Sequence, residues 1–143
     1  MEIQHFETLP RDILEGVQIV HQAVFEGDVL KEEKLANKEG FLALICFIDG
    51  QVAGFKFGYE VEEGVFYSWL GGVHPNFQQR GIAKALMLAQ HELLQVHSYQ
   101  KIRTFSRNNR KAMLILNLKC GFDVVDTFID KKGHHKIILE KML

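Results

Sequence analysis

The spacing of apolar residues changes period several times along the chain, and each change marks an element. Residues 2–7 read as a short strand, after which Pro10 can open a helix over about 11–25, with Ile13, Leu14, Val17, Val20, His21 and Val24 on one side. Gly27 and Asp28 interrupt it, and a second, more polar helix is predicted over about 29–38, its apolar face reduced to Val29, Leu30, Leu35 and Ala36. From Gly40 the period becomes that of a strand. FLALICFI and QVAGFKFGYE flank Asp49-Gly50 and predict a hairpin whose turn accommodates positive φ. A further strand is expected over about 64–74, with Gly71-Gly72 suggesting a bulge or the close approach of another backbone and Pro75 ending the run. Ile82, Ala85, Leu86, Ala89, Leu93 and Val96 then predict a helix over 81–97 with one buried stripe. Residues 101–106 are strand-like, 109–119 are helical with Gly121 as a left-handed cap, and the chain ends in a hairpin across Lys132-Gly133. The order β-α-α-β-β-β-α-β-α-β-β implies an α/β (α+β) domain built on a mixed, mostly antiparallel sheet of six to seven strands flanked by helices. Linkers and repeats are absent, so residues 1–143 are expected to form one domain.

Composition narrows the class. An apolar fraction of 47% with 24% charged residues suits a soluble globular protein. The longest wholly apolar run, 41–48, is far short of the ~20 residues of a membrane span, and the N-terminus lacks a signal-peptide core. The expectation is a cytoplasmic protein that does not engage membranes. Cys46 and Cys120 form neither a CxxC motif nor a disulfide framework and read as buried thiols. A net charge of −1 argues against a nucleic-acid partner, yet it conceals a split. Residues 1–63 carry 13 acidic and 5 basic side chains, whereas residues 64–143 carry 5 acidic and 12 basic ones. The second half suits an anion.

The stretch that carries chemistry is Val73-His74-Pro75-Asn76-Phe77-Gln78-Gln79-Arg80-Gly81-Ile82-Ala83-Lys84. A strand running through a glycine-containing loop into a helix presents unpaired N–H groups at the positive end of the helix dipole, a natural seat for a phosphate or pyrophosphate. Gly81 lets an anion approach, Ala83 keeps the next turn slim, and Arg80 and Lys84 add positive charge. Neither GxxxxGK[ST] nor GxGxxG is present, so P-loop and dinucleotide-binding folds drop out. The segment resembles the acyl-CoA pyrophosphate motif of the GNAT superfamily of N-acetyltransferases, [R/Q]-x-x-G-x-[G/A], through Gln78, Gly81 and Ala83. Residues 109–122, ending in Gly121-Phe122, are similar to that family's later helix. The resemblance covers the fold from Phe41 to Leu143 and puts the N-terminal helices where the family has its variable acceptor region. It implies acetyl-CoA as co-substrate and no metal. Backbone groups around Val73 would pair with the pantetheine arm, the N–H groups of Gln79, Arg80, Gly81, Ile82, Ala83 and Lys84 would take the pyrophosphate, and Asn109 would lie on the arm's other side.

Acetyl transfer to an amine requires a neutral amine, oxyanion stabilisation and a proton for the departing thiolate. A bulge at residues 70–72 can free an N–H for the oxyanion. Where many GNAT proteins have a Tyr that protonates the thiolate, this chain has Asn117, whose amide can hydrogen-bond but cannot act as a general acid. Glu60, which shares strand parity with Lys56 and Gly58, is the first candidate for general base, ahead of His74; Glu62 and Glu63 suit solvated surface. Tyr67 and Trp69 fit either an acceptor pocket or core packing. His134-His135 lacks a third ligand and reads as surface rather than a metal site. The leading expectation is an acetyl-CoA-dependent N-acetyltransferase acting on a primary amine of a small molecule or peptide. Glu26, Asp28, Glu32 and Glu33 suggest a cationic acceptor, and the exposed sheet edges suit a homodimer. A catalytically silent acyl-CoA-binding regulatory module is the alternative, followed by a structural domain without ligand.

Overall fold

The computed structural model describes all 143 residues. The elements are β1 (Glu2–Phe6), α1 (Arg11–Val24), α2 (Glu33–Ala36), β2 (Leu42–Ile48), β3 (Gln51–Glu62), β4 (Val65–Val73), a 3-10 turn at Pro75–Phe77, α3 (Ile82–Val96), β5 (Lys101–Ser106), α4 (Lys111–Lys119), β6 (Asp123–Ile129) and β7 (His135–Met142). They build one seven-stranded sheet in the order β1-β2-β3-β4-β5-β7-β6. Every neighbouring pair is antiparallel except β4 and β5. The mixed sheet and its helices therefore follow the expected order.

The main departure lies between α1 and β2. The helix predicted over 29–38 is a single turn, because Leu30 is held by a non-local pair of bonds: its N–H donates to Gln18 Oε1 at 3.1 Å, and its carbonyl accepts from Gln18 Nε2. A residue with both backbone groups committed to α1 cannot open a helix, and too few apolar positions follow to anchor one.

Two cores sit on opposite faces of the sheet. On one face, Val17 and Val20 of α1 pack with Ala43, Ile45, Phe55 and Phe57. On the other, Ile82, Leu86, Met87 and Leu94 of α3 pack with Leu42, Leu44, Phe66 and Leu139. Residue parity along β3 assigns its side chains accordingly: Phe55 and Phe57 turn to α1, whereas Gly54 faces α3, where a Cβ would stand 3.2 Å from Ile82 Cγ2.

The parallel pairing of β4 with β5 is confined to Val65–Lys101, Phe66–Ile102 and Tyr67–Arg103. A buried bond from Thr104 Oγ1 to the Ser68 carbonyl, 3.0 Å, closes this short seam. Beyond it the strands diverge. Arg103, at the apex of the divergence, binds Glu140 of β7 through Nε at 2.7 Å and Glu62 of β3 at 3.0 Å. Burial acts to raise the Glu140 carboxyl, but hydrogen bonds from Arg103 and Lys101 outweigh it and hold the group below its ordinary value. A lowered carboxyl pKa contributes stability above the unfolded-state value and loses it as pH falls through the folded-state value. Arg103→Met is therefore expected to cost about 1–2 kcal/mol at neutral pH and to flatten the acid limb of the stability profile below about pH 4.5, as read by urea denaturation across pH.

Candidate active site

Where β4 leaves β5, its free edge becomes available. From Ser68 to Val73 the strand is paired with β3 on one side and with no strand on the other. Leu70 pairs with Phe57 and Ser68 with Gly58, so Trp69 is an extra residue in β4. That is a bulge just before the expected 70–72 position; the glycines at 71 and 72 serve close approach instead, a Cβ on Gly71 standing 3.0 Å from the Phe55 carbonyl and one on Gly72 3.0 Å from Val24.

The gap opens into a cleft of about 770 Å³. It passes through the sheet: Gly81, Lys84 and Asn117 line it on the α3–α4 side, and Phe25, Tyr67, Trp69 and Phe105 on the α1 side. At its α3 mouth, Gly81 caps the helix at φ 77°, with no atom within 4 Å of where a Cβ would be. Six consecutive N–H groups, from Gln79 to Lys84, donate to no acceptor in the protein. Gln78 steadies the loop by donating from Nε2 to the Val73 carbonyl, 3.2 Å. Free donors converging on a bare glycine at a helix N-terminus fit a pyrophosphate. The unpaired edge of β4 fits an extended chain carrying amides, and the buried hydroxyl of Ser106, which lines the cleft without a partner, is a further orphan for such a chain to satisfy. The residues present therefore fit coenzyme A at both its phosphate and its pantetheine ends.

The charge split resolves here. Lys56, Lys84, Arg107, Arg110 and Lys136 line the cleft, and no Asp, Glu or His does. Arg110 also stands 5.8 Å over the Phe25 ring, joining the start of α4 to the end of α1 across the mouth. Lys56 is the residue that sequence reasoning passed over. It pairs with Gly71 on the open part of β4 and extends on the α3–α4 side, free of any ion pair or hydrogen bond. Burial pushes its ammonium down to about 8, with nearby Cys120 acting the other way. Behind it, His91 Nδ1 lies 3.0 Å from Lys141 Nζ, and burial, then Lys141 and Lys56, push that imidazole down to about 3, so it is neutral. On the α1 side the Tyr67 phenol is pushed up to about 12 by burial and then by Tyr59, and stays un-ionised.

Of the residues singled out from the sequence, Val73, Gln78, Gln79, Gly81, Ile82, Ala83, Lys84 and Asn117 line the cleft. Asn117 is buried on α4. Arg80 lies outside the lining, its guanidinium 5.4 Å over Phe77. Asn109 also lies outside, exposed before α4, and its neighbours Arg107 and Arg110 reach the cleft in its place. The two candidate general bases stand away from the cleft. Glu60 pairs with Phe66, which is itself stitched to β5, so it sits where the sheet is closed; its Oε1 accepts from Gly64 N–H at 3.3 Å. His74 spends Nδ1 as acceptor of the Asn76 N–H at 3.1 Å, capping the 3-10 turn. Neither lines the cleft. Glu26, Asp28, Glu32 and Glu33, expected to attract a cation, are likewise exposed and outside it. No grouping of three His, Cys, Asp or Glu side chains suited to a metal ion occurs, and no helix is long and apolar enough to cross a membrane.

A sheet parted beside a phosphate cradle of backbone donors defines an acyl-CoA transferase-like architecture, and comparison with known proteins gives it a family. Residues 8–122 match the model of the acetyltransferase (GNAT) family, and the chain belongs to that family. An acetyltransferase of Pectobacterium atrosepticum is 30% identical over 95 residues, an alignment spanning 66% of each chain. Among solved structures, the ribosomal-protein-alanine N-acetyltransferase of Brucella melitensis superposes with a TM-score of 0.83 at 17% identity over 100% of both chains. The PaiA N-acetyltransferase of Thermoplasma acidophilum, solved in complex with coenzyme A, superposes with a TM-score of 0.75 at 18% identity, again over 100% of both chains.

Proposed function

We propose that the protein transfers an acetyl group from acetyl-CoA to a primary amine by direct attack on the thioester. The observation that carries this reading is the cleft itself, which joins the free N–H groups of the Gly81 cradle to an aromatic mouth on the opposite face of the sheet. Acetyl-CoA supplies the activated acyl carbon. The N–H groups of residues 79–84 hold its pyrophosphate, with Lys84, Arg107 and Arg110 adding charge, and the edge of β4 from Ser68 to Val73 pairs with its arm. The Trp69 bulge frees backbone N–H for the carbonyl oxygen as it gains negative charge.

With no carboxylate or imidazole in the cleft, the amine reaches the acyl carbon after losing its proton to solvent. As the C–S bond breaks the departing sulfur takes a proton from Lys56, the attacking nitrogen gives up its extra proton to solvent, and Lys56 is recharged from solvent before the next turnover. An ammonium pushed down to about 8 is at least as acidic as an alkyl thiol, so the transfer to the thiolate is not uphill, and Lys56 fills the role that the amide of Asn117 cannot. Asn117 orients the arm as a hydrogen-bonding amide.

Purified protein incubated with acetyl-CoA and a panel of primary amines is expected to release free thiol in step with acetylated product. Tight CoA binding by calorimetry with no amine in the panel ever acetylated would overturn the catalytic reading and leave a binding module.

A further inference from the structure

The α1-side mouth of the cleft is walled by aromatic rings rather than by acids. Tyr67, Trp69 and Phe105 line it, Phe105 standing 5.3 Å from Tyr67, and Tyr59 backs this wall from outside the lining, edge to face with Tyr67 at 5.4 Å and with Trp69 at 5.6 Å. Over this wall lies a cation from the protein itself: Lys38 Nζ stands 4.7 Å from the centre of the Tyr59 ring and 5.3 Å from that of Trp69. Lys38 makes no ion pair, so the two rings are the partners of its ammonium. It lies in the segment between α2 and β2, at the border of a second cavity of about 680 Å³ that Glu7 and Glu32 also line. Glu32 is already paired with Arg11, so a displaced Lys38 has the Glu7 carboxylate to meet in that space.

A positive charge over the faces of Tyr and Trp is attracted by the ring quadrupole. A lysine gives up much rotamer freedom to sit there, so it holds the place weakly. Because the cleft is lined by five cationic and no anionic side chains, ring faces are its favourable seats for a positively charged acceptor, and of the rings that line it Trp69 already carries the cation of Lys38. Trp69 is also the bulged residue, which sets the seat beside the free edge of β4.

We propose that Tyr59, Tyr67 and Trp69 form a cation seat at the rim of the acceptor site, held in the free protein by Lys38, and that the acceptor is an amine carrying a second positive charge whose ammonium displaces Lys38. The proposal rests on the acetyltransferase reading for the fate of the amine, but the seat itself can be tested without turnover. Trp69 is the single tryptophan of the chain, so intrinsic emission reports on the seat alone. Titration with tetramethylammonium, in the absence of acetyl-CoA, is expected to change that emission saturably, and Lys38→Met is expected to tighten the response by about threefold to tenfold. In turnover, with rates expressed per concentration of neutral amine so that the different basicities of the two substrates cancel, aminoethyl-trimethylammonium is expected to exceed its carbon isostere neohexylamine in kcat/KM by about tenfold or more. Tyr59→Leu is expected to shrink that ratio several-fold, with CoA binding by calorimetry as the check that the variant is folded. No emission response to the cation, or equal use of the two isosteres, would refute the seat even if other amines are acetylated. Absence of all turnover with an intact emission response would instead refute the acetyltransferase reading and spare the seat.

Discussion

Gly81→Glu is expected to lower CoA affinity by about 100-fold, the equivalent of roughly 3 kcal/mol. Two effects combine. At φ 77° a residue with a Cβ is strained by about 1–2 kcal/mol, although the space around the missing Cβ is open and the fold can accept it. The larger effect is electrostatic: a carboxylate enters a cradle whose free N–H groups await an anion, where each charge-assisted bond lost costs about 1.5–3 kcal/mol. Gly81→Ala separates them, since it carries the strain without the charge. Its melting temperature should fall by a few degrees, about 2–4 °C per kcal/mol for a chain of this size, with a much smaller change in CoA affinity. Calorimetric titration of both variants decides the matter, and a glutamate variant that binds CoA like the parent would contradict the cradle.

Lys56→Met is expected to slow turnover by about 100-fold while making the protein more stable. Burial lowers the ammonium from 10.5 to about 8, so the folded chain releases a proton that the unfolded chain still holds. Stability therefore rises with pH between those two values, and the cost of the buried charge is fully present below about 8. At 1.36 kcal/mol per pH unit the shift sets a ceiling of about 3 kcal/mol; with partial solvent access, about 1–2 kcal/mol should be recovered by methionine at pH 7. The pH–rate profile distinguishes chemistry from packing. In the parent enzyme, turnover should fall above about pH 8 as Lys56 loses its proton, and the variant should lack that limb while gaining thermal stability. A variant with unchanged kcat and an unchanged alkaline limb would remove Lys56 from the reaction.

What could be read from the chain alone divides along a physical line. The Asp49-Gly50 hairpin, the strand ending at Pro75 and the Gln78–Ala83 loop follow from local periodicity and turn chemistry, and they stand where expected. The helix over 29–38 failed because a bond pair from Gln18, distant in sequence, decides the conformation of Leu30. Glu60 shows a subtler limit. Strand parity correctly put it on the same face as Lys56, but parity is blind to position along the strand, and only the register with Phe66 reveals that Glu60 lies in the closed part of the sheet and Lys56 in the open part. A signal for Lys56 was present: a charged residue set between Gly54 and Gly58 on an inward face is anomalous on burial grounds alone. The aromatic seat was visible only as Tyr67 and Trp69, because Tyr59 and Lys38 reach it from other elements.

The contact of Arg110 with Phe25 bears on how molecules come and go. It is the tie between the two lips of the cleft, and at an exposed site such a contact is worth only about 0.5–1 kcal/mol. The shut arrangement is then favoured over the parted one by a factor of only about 2–5. A clasp this weak spends a sizeable share of its time undone, so it does not govern traffic through the cleft. With the cofactor on the Gly81 loop as proposed, its residence time would be set by that grip, and a change at Arg110 should register in how fast it arrives more than in how long it stays.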